Sequence, residues 1–168
     1  MRARDIQART VVTIADATKV GLVDDILFDP RFQRVTGFLF KGLNIPGYIA
    51  AVPRARVAAI SRTAIMVSSI EEFGPADRFF ELRGAHSLKQ ARGAPVVTEG
   101  GELLGILDGF ELDEESLDVR ACVLTTPLLD RKWCRQETVK PQFIRQVDDK
   151  GAILVDEAAL SGSKNGGN

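Results

Sequence analysis

The chain has 168 residues, of which 45% are hydrophobic and 27% charged, and its formal net charge is −1. This composition is typical of soluble globular proteins, and the near-neutral charge argues against an overall polybasic surface for nucleic acid. The charge is uneven, however: residues 1–68 carry ten Lys and Arg against five Asp and Glu, and residues 69–168 carry twelve against eighteen. We therefore expect the basic first part to face the acidic second part, within one chain or between chains.

Six short strands are predicted in the first part of the chain, because β-branched or alternating apolar segments there are bounded by turn residues. The predicted strands are 11–14, 20–28, 35–41, 48–52, 57–60 and 64–67. Asp16 to Thr18 and the pair Asp29-Pro30 are turn signals between them. Six short strands at close spacing favour a small barrel, which leaves few exposed edges.

A helical pattern separates this part from the next. Ser69 and Glu72 have the spacing of a capping box. Residues 76–83 predict a helix that stops at Gly84, and residues 87–92 predict about one further helical turn. The sequence therefore predicts a short helical linker over residues 71–93.

The second part of the chain repeats the first. Gly21, Asp24 and Asp29 align with Gly105, Asp108 and Asp113 at a constant offset of 84, with apolar residues between them in both copies. Predicted strands 96–98, 105–113, 119–125, 133–139, 144–147 and 152–155 follow in the same order. The fold class predicted is mainly β, with two tandem six-stranded barrels. Its units are residues 1–70 and 94–160, and the polar tail 161–168 is expected to be disordered.

No membrane or secretory segment is expected. The basic residues near the amino terminus are not followed by the apolar stretch of a secretory signal, and the longest apolar runs are far too short to span a bilayer. A cytoplasmic location follows as the expectation. Cys122 and Cys134 are too few for a disulfide framework and lack metal-ligand spacing, so reduced thiols are expected. We predict that they are neighbours across a hairpin centred near Leu128.

The repeated motif resembles the PRC-barrel family. In the second copy it consists of residues 90–93, Val96-Val97, Gly105 to Asp108 and Leu112-Asp113. The first copy has Val20 to Asp24, Phe28-Asp29 and Val52-Pro53. Members of the family are small β-barrels in the cytoplasmic part of the photosynthetic reaction centre H subunit and in the carboxyl-terminal domain of the ribosome-maturation factor RimM. The resemblance implies an adaptor or assembly module. Without an H-subunit membrane helix or a RimM-like amino-terminal domain, neither specific role is carried over.

The residues that could support chemistry favour a chain that is not an enzyme. His86, the only histidine, lies in the linker without a nucleophile motif. Asp24 and Asp108 suit a structural role at the barrel rim, and a ligand-binding or catalytic carboxylate pair is the alternative. The acidic stretch from Glu111 to Asp118 lacks EF-hand spacing, so no metal or other cofactor is expected.

Two loops are the predicted partner-binding sites, because each carries apolar residues where turns are normally polar and each ends in an aromatic residue. These residues are Leu43, Ile45 and Tyr48 in the first unit and Leu128, Leu129 and Trp133 in the second. The partner expected is another protein or a second copy of the chain. An equally weighted alternative is that the loops plug their own barrels. Arg54, Arg56 and Arg62 make a modest basic edge, so an RNA- or ribosome-associated role is a further alternative.

Overall fold

The computed structural model describes residues 1–127 and 134–160, and two sheets with the same strand order dominate it. The first unit contains β1 (Thr10–Thr13), β2 (Thr18–Phe28), β3 (Val35–Gly42), β4 (Ile49–Pro53), β5 (Val57–Ile60) and β6 (Ala64–Val67). The two-residue strand β7 (His86–Ser87) precedes the helix α1 (Leu88–Ala91). The second unit contains β8 (Pro95–Thr98), β9 (Leu103–Leu112), β10 (Val119–Pro127), β11 (Cys134–Val139), β12 (Ile144–Val147) and β13 (Ile153–Val155).

Both units use one topology. The first sheet runs β4-β3-β2-β1-β6-β5, with β7 added beside β2, and the second runs β11-β10-β9-β8-β13-β12. The first and last strands of each unit, β1 with β6 and β8 with β13, pair in parallel, and the hairpins pair antiparallel. The predicted mainly β class with two tandem copies of one strand order is therefore confirmed.

The register agrees with the sequence repeat residue by residue. Gly21 lies opposite Val11, and Gly105 lies opposite Val96. In both units the pairing shifts immediately afterwards, between Val11 and Val12 and between Val96 and Val97. A bulge at the same place in both copies bends the sheet at equivalent points, as bulges do in curved sheets.

The linker has less helix than its sequence predicted. Short 3-10 helices occupy Ile70–Glu72, Ala76–Arg78 and Phe80–Leu82, and the Ser69 side chain makes no capping hydrogen bond. These turns stay short because Phe79 and Leu82 pack on Leu27 and Ala51 of the first sheet, and an extended residue separates successive turns to reach them. In α1, by contrast, Ser87 caps the helix by accepting from the Gln90 N–H.

The segments that precede the two units are exchanged between them. Before the second unit, His86 and Ser87 pair with Phe28 and Leu27 of β2. Before the first unit, Arg2 pairs with Glu111 of β9, and the Leu112 N–H donates to Met1 O at 2.8 Å. A short helix follows each segment: α1 contacts β2, and the 3-10 helix Ala3–Ile6 contacts β9. The segment that leads into each unit thus pairs with the second strand of the other unit.

Reciprocal contacts indicate an approximate two-fold relation between the units. Arg34 bridges to Asp118, its own equivalent at the offset of 84. The Val35 N–H donates to Leu117 O at 3.2 Å, and the equivalent Val119 N–H donates to Gln33 O at 2.9 Å. Phe28, Phe32 and Phe110 pack together near this junction, with ring centroids 4.6 to 5.7 Å apart. One buried apolar cluster therefore joins both units.

The charged rim of this junction has the predicted polarity. Arg2 Nε lies 3.5 Å from Glu111 Oε1, and Arg54 Nη2 donates to Glu115 O at 3.1 Å. Basic residues of the first unit thus contact the acidic second unit within one chain.

The predicted pairing of the two cysteines is wrong. Cys122 lies opposite Val139, and Cys134 lies opposite Pro127, five residues farther along β10. β10 continues to Pro127 beyond the predicted end at Thr125, so Cys122 pairs five residues farther along β11 than predicted. Within residues 1–127 and 134–160, no helix is long and apolar enough to cross a membrane.

Candidate docking surface

Five large apolar side chains are exposed together at one end of the first sheet. Leu43, Ile45 and Tyr48 of the β3–β4 loop are 49%, 59% and 39% exposed, and Leu22 and Ile49 on the flanking strands are exposed to a similar extent. We call these five residues the loop patch. Contiguous exposed apolar groups on a chain with a well-filled core mark interaction surfaces.

The strand register places the two strand residues of the loop patch on one row. Leu22 of β2 lies opposite Lys41 of β3, and Lys41 lies opposite Ile49 of β4. Directly opposed residues project from the same face of a sheet, so Leu22 and Ile49 flank the exposed Lys41 stem on the outer face. The neighbouring part of this face, at Leu27 and Ala51, is buried beneath the linker residues Phe79 and Leu82. The linker thus covers part of the outer face and stops short of the loop patch.

The loop itself is held by backbone hydrogen bonds. The Tyr48 N–H donates to Ile45 O at 3.1 Å, and Gly47 turns the chain with a φ of 78°, which glycine adopts without strain. The Gly42 N–H donates to Tyr48 O at 3.0 Å. A Cβ on Gly42 would lie 3.2 Å from Tyr48 Cδ1, so the tyrosine ring packs over this glycine. The apolar side chains are therefore presented on an ordered turn.

A salt-bridged carboxylate lies behind the loop patch. Asp24 Oδ1 is 2.7 Å from Lys89 Nζ and 3.2 Å from Lys41 Nζ. The hydrogen bond from Lys89 is the largest of the effects that lower the pKa of Asp24. These contacts tie β2 and β3 to α1.

Comparison with known proteins classifies the first unit. A family model for the PRC-barrel domain matches residues 1–73, which include β1 to β6. The first unit is a PRC-barrel domain. The loop patch lies wholly within it.

A solved structure with a weak overall likeness is the RimM protein of Pseudomonas aeruginosa, described as a 16S ribosomal RNA processing protein. It is 14% identical, with a TM-score of 0.30, over 90% of this chain and 95% of that chain. No curated protein matches the chain.

The equivalent carboxylates in the PRC-barrel domain and the second unit have similar environments. Asp108 Oδ1 lies 3.7 Å from Arg92 Nη2, as Asp24 lies beside Lys89, so the α1 segment supplies a cation to each unit. Asp29 Oδ1 accepts from the Gln33 and Arg34 N–H groups at 2.6 and 2.9 Å. These geometries give the aspartates turn and tethering contacts.

Asp113 closes the turn between β9 and β10, as its equivalent Asp29 does between β2 and β3. Its Oδ1 accepts from the N–H groups of Glu115 and Ser116, both at 2.9 Å, and its Oδ2 pairs with Arg120. The hydrogen bond from Ser116 is the largest of the effects that lower the pKa of Asp113. The acidic hairpin is therefore organised by its own backbone.

Asp25 is a structural residue that the sequence analysis missed. Its side chain is buried and accepts from the Ile26 N–H at 2.8 Å and from the Lys89 N–H of α1 at 3.2 Å. This carboxylate fixes the start of α1 against β2 of the PRC-barrel domain. The available signal was a second charge beside Asp24 within an otherwise apolar strand, where an unpartnered carboxylate would be costly.

Two of the remaining candidate residues, His86 and Arg56, have internal partners. His86 stacks on Phe32 with ring centroids 5.0 Å apart. Arg56 belongs to the basic edge. Its Nη1 lies 3.5 Å from Glu72 Oε2, and its guanidinium lies over the Phe79 ring. In the described part of the chain, no group of three or more His, Cys, Asp or Glu is arranged to hold a metal ion. Leu128, Leu129 and Trp133 lie outside the described residues.

Proposed function

We propose that this protein is a non-catalytic adaptor or assembly module that docks on a partner protein through the loop patch of its PRC-barrel domain. The exposure of Leu22, Leu43, Ile45, Tyr48 and Ile49 on one ordered end of the sheet is the observation that carries the proposal. Tyrosine is one of the residue types enriched at the hot spots of protein interfaces, and the leucines and isoleucines around Tyr48 supply apolar area that an interface would bury.

The exposure of the loop argues against the plug alternative for the first unit. A plug would bury Leu43 and Ile45 in the barrel end, whereas about half of each side chain is exposed. Phe73 instead packs against the core, with its ring edge-on to Phe40 and the centroids 5.0 Å apart. The loop residues are therefore free to contribute to an interface. Removing Leu43 and Ile45 should cost little folding stability.

Site-specific crosslinking tests the proposal. A photoreactive residue at Ile45 should capture a discrete partner in the native host, and Leu43→Ser with Tyr48→Ala should abolish that adduct while changing the melting temperature by no more than a few degrees. A photoreactive residue at Phe80, which is exposed on the linker and does not belong to the loop patch, is the matched control. Equal adducts from both positions, or unfolding of the double variant, would refute docking through the loop patch.

An RNA- or ribosome-associated role is the second candidate, favoured by the excess of basic residues in positions 1–68. Two of the three arginines of the basic edge are engaged inside the molecule: Arg54 contacts Glu115, and Arg56 contacts Glu72. Retention of the intact chain on immobilised ribosomal RNA should fall steeply with salt if phosphates are contacted. Salt-sensitive retention that is lost on replacing Arg62 with Ala, and kept in the loop-patch variant, would favour this candidate over protein docking.

A further inference from the structure

The free edge of the first sheet differs from its counterpart in the second sheet. β5 and β12 are the last strands of the two sheets and pair with β6 and β13 through the same shifted register. This register makes Ala58 equivalent to Arg145 and Ala59 equivalent to Gln146. Charged residues on an edge strand discourage the addition of further strands, so β12 has a protection that β5 lacks.

The other edge of the first sheet, at β4, is closed. The Ala51 N–H of β4 donates to Gly74 O at 2.6 Å, and the Gly74 N–H donates to Ala51 O at 3.0 Å. β4 also ends in Pro53, which has no N–H to offer. β5, by contrast, has the apolar sequence Val-Ala-Ala-Ile, and its two alanines are exposed. The Ser61 N–H donates to Ala64 O of β6 at 2.8 Å. Because the backbone groups of successive residues in a strand point to opposite sides, those of Ile60 point away from β6, toward the free side.

A groove runs along this free side. It has a volume of about 340 Å³ and lies between β5 and the acidic β9–β10 hairpin of the second unit. The Arg54 Nη2 bond to Glu115 O holds the hairpin beside the strand. Among the described residues, neither Glu114 nor Glu115 has a salt-bridge partner. Arg54 also lines the groove, but the two carboxylates outnumber its guanidinium, so the wall opposite the unpaired strand has a net negative charge.

We infer that this groove binds an extended peptide segment carrying lysine or arginine, which adds to β5 as a further strand. Backbone groups of the segment pair with β5, as in other complexes formed by strand addition, and its basic side chains face Glu114 and Glu115. The hairpin closes the far side, so a single segment fits better than the edge of a second folded barrel. The surface is separate from the loop patch and does not depend on it.

The equivalent strand edge of the second unit has the opposite charge. The turn from Asp29 to Arg34 contacts the start of that edge, since Gln33 Nε2 donates to Pro141 O at 2.8 Å. At the offset of 84, Glu115 corresponds to Arg31. Arg31 and Arg145 both disfavour a basic segment there. We therefore do not expect the edge of the second unit to bind one.

Fluorescence anisotropy with the intact chain tests this inference. The probe is a labelled synthetic hexapeptide that alternates valine and lysine, and its control has glutamate in place of lysine. We expect the lysine peptide to bind and the glutamate peptide not to bind. Ala58→Arg with Ala59→Gln, which copies β12 into β5, should weaken binding by about tenfold or more. Glu114→Gln with Glu115→Gln should weaken it roughly threefold to tenfold and remove most of its salt dependence.

The loop-patch variant, Leu43→Ser with Tyr48→Ala, should bind the lysine peptide as the parent does, which separates this inference from the proposed docking function. Thermal unfolding confirms that each variant is folded, and the glutamine pair provides a test even if the β5 variant unfolds. Equal binding of the two peptides, no binding of the lysine peptide, or unchanged binding by the folded β5 variant would overturn the inference. A dimer in light scattering that only the β5 variant dissociates would assign the edge to a second copy instead.

Discussion

Gly21→Ala is the substitution with the clearest structural consequence. A Cβ at this position would lie 2.4 Å from Lys41 O and 2.4 Å from Phe40 Cδ2. The carbonyl belongs to the neighbouring strand, so the clash cannot be relieved by a side-chain rotation. β2 and β3 would have to separate locally by at least about 0.6 Å, in a core packed as densely as an organic crystal.

The expected loss of stability is about 2–3 kcal/mol. Overpacking costs about 1–3 kcal/mol, and weakening one or two ladder hydrogen bonds adds roughly 1 kcal/mol each. Alanine returns about 0.5–1 kcal/mol, because it restricts the unfolded chain more than glycine does. The equivalent Gly105 is a matched control, since its added Cβ would meet Thr125 O at 3.1 Å and Leu124 Cβ at 3.2 Å. Gly105→Ala should therefore change stability by no more than about 1 kcal/mol.

Urea unfolding followed by far-ultraviolet circular dichroism measures both variants. The midpoint of Gly21→Ala should fall well below that of Gly105→Ala, with similar m-values, since neither change alters the surface exposed on unfolding. Equal losses, or a stabilised Gly21→Ala, would show that the sheet relaxes freely at this point and would refute the packing argument.

Three further outcomes follow from buried and hydrogen-bonded groups. Phe110→Ala should remove about 3–5 kcal/mol and lower the melting temperature by about 10 °C in a single transition, because its ring joins both units; two separate transitions would contradict a shared core. The pKa of Asp113 is lowered in the folded state, so its stabilisation is present above about pH 4 and is lost as the pH falls through the folded value. The melting temperature of Asp113→Asn should accordingly vary less between about pH 4 and pH 2 than that of the parent, and identical profiles would exclude this role. Burial raises the pKa of Cys122 to about 12, so in a Cys134→Ser variant the thiol should react with a disulfide reagent at neutral pH only after urea is added, and rapid native reaction would contradict its burial.

The strands could be predicted from the sequence because their signals are local. Periodicity and turn residues placed β5, β6 and β12 at their observed bounds. The collinear repeat then predicted the shared strand order, because equal sequences of strands and turns favour equal topologies.

Features that depend on partners distant in sequence could not be predicted in the same way. The pairing of Arg2 with Glu111 has no local pattern, and neither does the capping of α1 by Asp25. The linker helices were overestimated because residues 76–83 have a helical composition, whereas Phe79 and Leu82 are needed against the sheet. Of the predicted docking residues, Leu43, Ile45 and Tyr48 are exposed as expected, and binding by all six stays a prediction.

The exchange of leading segments makes the linker a tether. Two separate chains that met through these surfaces would form a complex whose population fell on dilution. Here the part of the chain between β6 and β7, residues 68–85, holds the second unit close to the first, and such a connection acts as a high effective concentration. A leading segment that detaches from β2 or β9 therefore rebinds the same strand before it meets another molecule. The linker thereby protects the chain against domain swapping, the failure to which exchanged segments are otherwise prone.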